Sequence, residues 1–294
     1  MRVLLLNPKA GQVWRRWRHS NAIRRHSLGL EVVETEPGRI VDQTRALVRD
    51  GVAAVYAGGG DGTVADVAVG LSGSDVPLGI IPLGTTNALA REFRIPLDPA
   101  EALDTLSALT TRRPLRTWIS DRGVLVLGAG AGWDGQLMHR VSSTKKRWLG
   151  GVGIWFAAFR LLVRYDFPTL RIDGLDATGE SSSVTGTSVI VSNIRYWASA
   201  NPAIIGADPG DDLLDVVVLQ EASVSHLAAF WLKMMAPTGR PLAQRGVSRL
   251  QLSMLQITLE QGRALEVHLN GEPRGCVPIS FLPGPLVQVL APVI

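Results

Sequence analysis

Apolar and polar positions along the first 118 residues follow two rhythms. Short strand-like runs occur at Val3–Leu6, Glu31–Glu34, Val52–Ala57 and Leu78–Ile81. Between them, Arg39–Asp50, Val64–Leu71, Ala88–Phe93 and Pro99–Leu109 read as helices, as does the basic stretch Trp14–His26. Strands and helices in this alternation predict a mostly parallel sheet in an α/β domain. After about Trp118 the rhythm changes. Val124–Leu127, Leu170–Ile172, Thr187–Ser192, Leu214–Leu219, Ser253–Glu260 and Ala264–Leu269 are short β-rich runs between turn residues, interrupted by helical segments at Trp148–Tyr165 and Val224–Met235. The Ser/Thr/Gly-rich stretch from Asp173 to Gly186 reads as a hairpin tip or surface loop.

This organisation predicts residues 1–118 as a three-layer α/β domain of nucleotide-binding type. Residues 119–294 would form an antiparallel β-sandwich, with the last strand returning to the first domain. A length of 294 residues is in keeping with two domains.

Composition narrows the class. A hydrophobic fraction of 46% with 19% charged residues excludes intrinsic disorder. The net charge of +4 is carried by arginine, since only four of the 30 basic residues are lysine. So small an excess is weak evidence for nucleic acid, and it suits phosphates or an anionic membrane surface equally well. The single cysteine, Cys276, excludes an intramolecular disulfide and a cysteine zinc site. Val3–Leu6 is too short for a secretory h-region, and no run of about 18 uncharged apolar residues predicts a membrane span. The expected location is the cytoplasm.

The strongest local chemistry is Gly58-Gly59-Gly60-Asp61-Gly62-Thr63, where an apolar strand runs through consecutive glycines into a helix. Glycine lets backbone N–H groups approach a phosphate, and the helix N-terminus adds partial positive charge. Asp61 is placed to hold Mg²⁺ or to orient a phosphoryl group. A tight strand-to-helix turn with a capping Asp or Thr is the equally weighted bland reading. Neither a P-loop nor a dinucleotide fingerprint fits the glycine spacing. Two further loops, Asn7-Pro8-Lys9-Ala10-Gly11 and Pro82-Leu83-Gly84-Thr85-Thr86-Asn87, also follow apolar runs and precede helices. In an open parallel sheet all three lie at the carboxyl ends of strands, where ligands bind.

These three loops resemble those of the superfamily of diacylglycerol kinases, sphingosine kinases and their bacterial relatives. So do Gly130-Ala131-Gly132-Trp133-Asp134, Asp211-Asp212-Leu213-Leu214-Asp215 and Asn270-Gly271-Glu272 downstream. The resemblance implies an ATP-dependent lipid kinase using Mg²⁺. Gly58, Gly59, Gly60, Asp61, Gly62 and Thr63 would wrap the ATP phosphates, and Asn7, Thr35, Gly84, Thr85 and Asn87 would contribute to the nucleotide site. Glu272 matches the general base of the bacterial diacylglycerol kinases, whereas sphingosine kinases are ascribed that role at the position of Asp61. Asp211 and Asp215 match a structural Mg²⁺ loop. The sequence departs from the family pattern at Ala10, Ala65-Asp66, Ala88, Asp212 and Asn270.

The implied partner is a diacylglycerol-like or sphingoid lipid at a membrane surface, with peripheral membrane contact and no nucleic acid; a homodimer is compatible with the sequence but not fixed by it. Plainer readings stand beside these. Glu272 also suits a hairpin residue after the Asn270-Gly271 turn dipeptide, and Asp211 and Asp215 a solvated loop. The arginines of Trp14-Arg15-Arg16-Trp17-Arg18 suit a solvated helix face as well as an interface, and the apolar residues from Trp148 to Leu162 suit a core helix as well as an acyl pocket. The five histidines show no metal-ligand spacing and read as structural or exposed. Rival functions are an NAD kinase and a catalytically weak nucleotide- or lipid-binding regulator.

Overall fold

A computed structural model describes residues 1–8, 29–108, 111–143, 158–197, 202–235 and 244–293. The chain divides into two compact units. One comprises Met1–Thr117 with Gly284–Ile294, and the other Trp118–Trp197 with Asn201–Pro283. Strands β5 (Arg112–Ser120), which pairs with β6 (Gly123–Leu125), and β16 (Ile279–Leu290) each contribute residues to both units.

The first unit is built on strands β1 (Arg2–Leu6), β2 (Leu30–Glu34), β3 (Ala54–Gly59) and β4 (Leu78–Pro82). They lie in the order β2-β1-β3-β4, all parallel, and Val289 pairs in parallel with Leu78 beside β4. Every residue of β3 and β4 is buried, which explains their continuous apolar character. Leu4, Leu6, Tyr56 and Ile81 pack with Leu103 and Leu106 of helix α4 (Pro99–Ala108). Helices α1 (Ile40–Arg49) and α2 (Asp61–Leu71) pack tightly on each other, and a Cβ on Gly70 would intrude on Thr44 of α1. A short helix, α3 (Ala88–Glu92), follows β4.

The second unit has two antiparallel sheets. The first takes the order β12-β11-β10-β7-β14-β15, with β7 Gly128–Ala131, β10 Ser188–Ser192, β11 Leu214–Leu219, β12 Val247–Leu252, β14 Glu266–Leu269 and β15 Glu272–Cys276. The second runs from Ile279–Phe281 through β13 (Met254–Gln261) and β8 (Thr169–Leu175) to β9 (Ser181–Gly186). One buried cluster joins inward residues of both sheets, including Val189, Val216 and Val267 with Leu170, Ile257 and Phe281. The other face of the first sheet packs Ile190 and Val217 against α5 (Trp133–Ser143), the helical residues 158–163 (α6) and α7 (Val224–Met235).

The α/β-plus-sandwich architecture expected from the sequence is therefore present, with differences in detail. The stretch from Asp173 to Gly186, expected as a hairpin tip or surface loop, is a hairpin whose strands reach further into it than expected, with the turn at 176–180; β9 is a polar edge strand of Ser and Thr in place of the usual apolar signal. The expected helices at Trp14–His26 and at the start of Trp148–Tyr165 lie outside the described residues.

Gly70→Val tests the helix contact. Overpacking against Thr44 and the Val41 carbonyl is expected to cost about 1–3 kcal/mol. It should appear as a lower urea midpoint for the first unit; an unchanged midpoint means α1 and α2 are not in this contact.

Candidate functional site

In the first unit four strand ends form one edge. Asn7 follows β1, Thr35 follows β2, Gly60 follows β3 and Leu83 follows β4. Backbone bonds extend the ladder past each strand: Asn7 N–H donates to Gly58 (2.9 Å), Thr35 N–H to Leu6 (2.8 Å) and Leu83 N–H to Gly59 (2.9 Å). The strand order reverses direction at β1, with β2 on one side and β3 on the other, and such a switch point opens a crevice at the carboxyl ends.

Side chains then wire the loops together. Asn7 Nδ2 donates to Thr63 Oγ1 (2.9 Å), tying the first loop to the first turn of α2. Asn87, at φ 50°, closes its own loop: its Oδ1 accepts from Gly84 N–H (2.9 Å) and its Nδ2 donates to the Gly84 carbonyl (3.0 Å). Gly60 and Gly84 touch through their backbones, and a Cβ on Gly84 would stand 2.6 Å from Gly60 Cα. At Gly59 a Cβ would stand 2.5 Å from Thr63 Cβ, whereas at Gly62 it would meet nothing within 4 Å. The glycines thus divide in use. Gly59, Gly60 and Gly84 permit close packing of the loops, and Gly62 leaves open space at the start of α2.

Asp61 connects two of these loops. Its Oδ1 accepts from Leu89 N–H (3.2 Å) at the start of α3. Burial pushes its carboxyl pKa upward, opposed by the N–H groups of Ala88, Leu89 and Asn87 and by the charge of Arg91. Arg91 Nε donates to the Thr86 carbonyl (2.9 Å), which turns its guanidinium back along the loop. Arg91 lies four residues beyond the third loop's Asn87 with no distinctive spacing, so the sequence alone does not mark its electrostatic role beside Asp61. Thr35 and Thr63 are buried and Thr85 is exposed. Lys9, Ala10 and Gly11 of the first loop lie outside the described residues.

The second unit holds the remaining candidates. Glu272 opens β15 just after the Asn270-Gly271 turn; its side chain is 64% exposed and its Oε2 accepts from Arg274 (2.9 Å). The turn is clamped by Asn270, whose Oδ1 accepts from Val126 and Leu127 N–H (both 2.9 Å) and whose Nδ2 donates to the Val124 carbonyl (2.9 Å). An aspartate at this position would have no donor for Val124. Behind this turn, His268 Nε2 bonds to Asp134 Oδ2 (2.7 Å), both side chains being buried. A Cβ on Gly130 would collide with this pair, and one on Gly128 would collide with Trp197. The Gly130–Asp134 motif thus serves packing here, and His268 is structural.

In the acidic loop the two expected carboxylates are engaged in different ways. Asp215 is buried in β11, and its Oδ1 accepts from Arg249 Nε (3.0 Å) and Nη2 and from Gln251 (3.4 Å). Asp211 Oδ1 accepts from Leu213 N–H (3.0 Å) in a local turn, and its pKa is raised by burial and by neighbouring Asp208, Asp215 and Asp212. Among the described residues no group of three His, Cys, Asp or Glu side chains could hold a metal. At Asp61 the donor set does suit Mg²⁺, which takes one or two carboxylates and fills its shell with water and substrate phosphates.

Similarity to known proteins agrees with this layout. Residues 2–116 match the diacylglycerol kinase catalytic domain, and residues 128–291 match the YegS C-terminal NAD kinase beta sandwich-like domain. A Pseudomonas fluorescens protein named Probable lipid kinase YegS-like is 30% identical over 235 residues, covering 77% of this chain and 74% of its own. A Xanthomonas euvesicatoria protein of the same name is 28% identical over 262 residues, covering 85% and 82%. The crystal structure of a diacylglycerol kinase from Bacillus anthracis superposes with a TM-score of 0.70 at 18% identity, over 99% of this chain and 96% of that one. At that identity the superposition speaks for the fold alone.

Two outcomes follow from the site geometry. A raised carboxyl pKa means that the ionised form of Asp61 costs stability at neutral pH, a cost that vanishes as pH falls below the unfolded aspartate value. Asp61→Asn should therefore melt above the wild type at pH 7 while losing activity, and thermal scans should show the advantage shrinking in acid. A variant that melts lower at pH 7 contradicts this. Asn270→Asp sets a carboxylate against the Val124 carbonyl and should lower stability by about 1–3 kcal/mol in urea titrations; equal stability would show that the Nδ2 bond contributes nothing.

Proposed function

The chain belongs to the lipid-kinase family that joins a diacylglycerol kinase catalytic domain to a YegS-type C-terminal domain, and on that premise we propose that it transfers the γ-phosphoryl group of ATP to the hydroxyl of a diacylglycerol-like or sphingoid lipid. One observation carries the reading. Asn7, Thr35, Gly60–Thr63 and Gly84–Asn87 come together at the carboxyl edge of a parallel sheet, with open space at Gly62 beside the N-terminus of α2.

Phosphoryl transfer requires little covalent chemistry from the protein and much positioning and charge stabilisation. Backbone N–H groups at the start of α2 suit phosphate oxygens, since a helix N-terminus favours anions. A divalent ion, when bound, supplies neutralisation of phosphate charge. Asp61, held by backbone N–H groups at the start of α3 and by no side-chain cation in direct contact, is the carboxylate for that ion or for the acceptor proton. The Arg91 guanidinium adds positive charge beside the same loop. Glu272 is the second candidate base; its exposed carboxylate stands on a clamped turn, which suits a group that must meet a hydroxyl.

A general base contributes roughly 10²–10⁴-fold. Glu272→Gln should therefore lower the turnover number by about that factor and leave ATP binding unchanged. The assay is transfer of label from γ-labelled ATP to extracted membrane lipids, with NAD offered in parallel. Labelled NAD and unlabelled lipid would assign the chain to NAD phosphorylation. Nucleotide binding with no labelled acceptor would make it a regulator, and full activity in Asp61→Ala would remove Asp61 from the chemistry.

A further inference from the structure

Strand β9 ends the second sheet, and β8 is its one strand partner among the described residues. The ladder between them tells which backbone groups are engaged. In the hairpin turn Asp176 N–H donates to the Glu180 carbonyl (3.0 Å), so residue 180 turns its backbone toward β8. An antiparallel ladder alternates from there. Ser182, Val184 and Gly186, in register with Gly174, Ile172 and Leu170, point to β8, while Ser181, Ser183 and Thr185 point away. Two bonds at the ends of the ladder agree. Ser253 N–H reaches the carbonyl of Leu175, which lies opposite Ser181, from the other side of β8 (2.7 Å), and Thr187 N–H turns away from β8 to Leu219 (2.7 Å). The N–H and carbonyl groups of Ser181, Ser183 and Thr185 therefore line an open edge, and all three residues are exposed.

Such an edge is a template for another strand, and proteins guard it with charge, proline or a bulge. The two strands that end the first sheet follow that rule. β12 carries Arg249, and β15 carries Pro273 and Arg274 with a register shift in its ladder. β9 has none of these: its sequence Ser-Ser-Ser-Val-Thr-Gly is uncharged, and its register with β8 runs without a shift. The side chains decide what the edge accepts. Ser181, Ser183 and Thr185 share the outer face and offer hydroxyls alone, whereas Val184 packs against the core. A charged strand finds no counter-charge along this row. β9 itself, turned about a two-fold axis, does match it.

We propose that two copies of this chain pair through β9, antiparallel about a two-fold axis, and join their second sheets into one. With Ser183 opposite Ser183 of the copy, Ser181 stands opposite Thr185, and every N–H and carbonyl on the open edge meets its complement. Serine and threonine opposite one another bond through their hydroxyls. Glu180 falls opposite Gly186, so no charge meets a like charge. The pairing covers both edges at once, so assembly stops at two copies. A contact one strand wide belongs to the small, reversible class of interfaces. It uses no residue of the proposed phosphoryl-transfer site and stands or falls separately from that reading.

The test is sedimentation of the full chain from micromolar to near-millimolar concentration. Its average mass should rise toward twice that of the chain and level off. Ser183→Pro removes an N–H that β8 does not use, so the ladder within the chain stays whole. This variant should remain a monomer throughout, with an unchanged melting temperature at low concentration. Ser181→Glu with Thr185→Glu should also remain a monomer, because carboxylates then stand opposite each other. Mixing it with Ser181→Lys, Thr185→Lys should restore association as a one-to-one pair, and that rescue decides the matter if the proline variant folds poorly. A wild-type chain that is monomeric at every concentration would overturn the proposal. A dimer that both the proline and the glutamate variants leave intact places the interface elsewhere and overturns it too. A mass that grows past two copies without levelling rules out the closed two-fold pairing. Failure of the charge-swapped mixture to associate overturns the register that sets Ser181 against Thr185.

Discussion

Parallel pairing of β1 between β2 and β3 is the constraint on which the candidate nucleotide edge depends. Parallel strands deliver their carboxyl ends to one side, so Asn7, Thr35, Gly60 and Leu83 emerge together although they are spread over 77 residues of chain. Everything else at the edge adjusts that convergence. Gly60 and Gly84 let two loops meet backbone to backbone, Asn7 anchors to Thr63, and Asn87 adopts a left-handed conformation to close the Gly84 loop. Asparagine is among the few residues that tolerate that conformation. A β-branched residue at 87 would lack both the conformation and the two bonds to Gly84.

The second unit uses the same device at a different place. Asn270, again in left-handed backbone, spends both ends of its amide on Val124, Val126 and Leu127. The turn that presents Glu272 is thereby held in place by three bonds from Asn270. The His268–Asp134 pair and the Gly128–Ala131 strand beneath it complete the support, with the glycines leaving room for the side chains that cover them. An aspartate at 270 could only accept, whereas the amide of Asn270 also donates.

How much of this was legible follows from the physics of each element. The buried strands of the first unit read directly, because strands covered on both faces are continuous apolar runs. Gly128–Ala131 did not: glycine and alanine carry no β signal, and their smallness answers to Trp197 and Asp134, which are distant in sequence. Helix α5 is illegible for a related reason: its first residues, Trp133 and Asp134, close the glycine-rich motif, which reads as a loop. Strand β9 was hidden by serine. The glycine loops could be found from local pattern, but their wiring could not, because Asn7 and Thr63 are 56 residues apart.

Asp61 and Asp215 show why residue type alone cannot mark a functional carboxylate. Burial raises the pKa of both. Asp215 is compensated by an arginine that strand pairing brings alongside: Arg249 lies on β12, two residues out of register with Asp215 on β11, and bonds its carboxylate through two nitrogens. That charge is already spoken for, and a cation approaching it would have to displace a guanidinium. Asp61 has only backbone N–H groups in direct contact, with Arg91 acting through space. Peptide dipoles stabilise a carboxylate without cancelling its charge, so Asp61 retains a negative potential that an incoming metal ion can still neutralise. Keeping an incompletely compensated charge partly buried is unfavourable for the fold by itself. Its place at the meeting point of two glycine loops is what makes Asp61 a candidate for the chemistry proposed above.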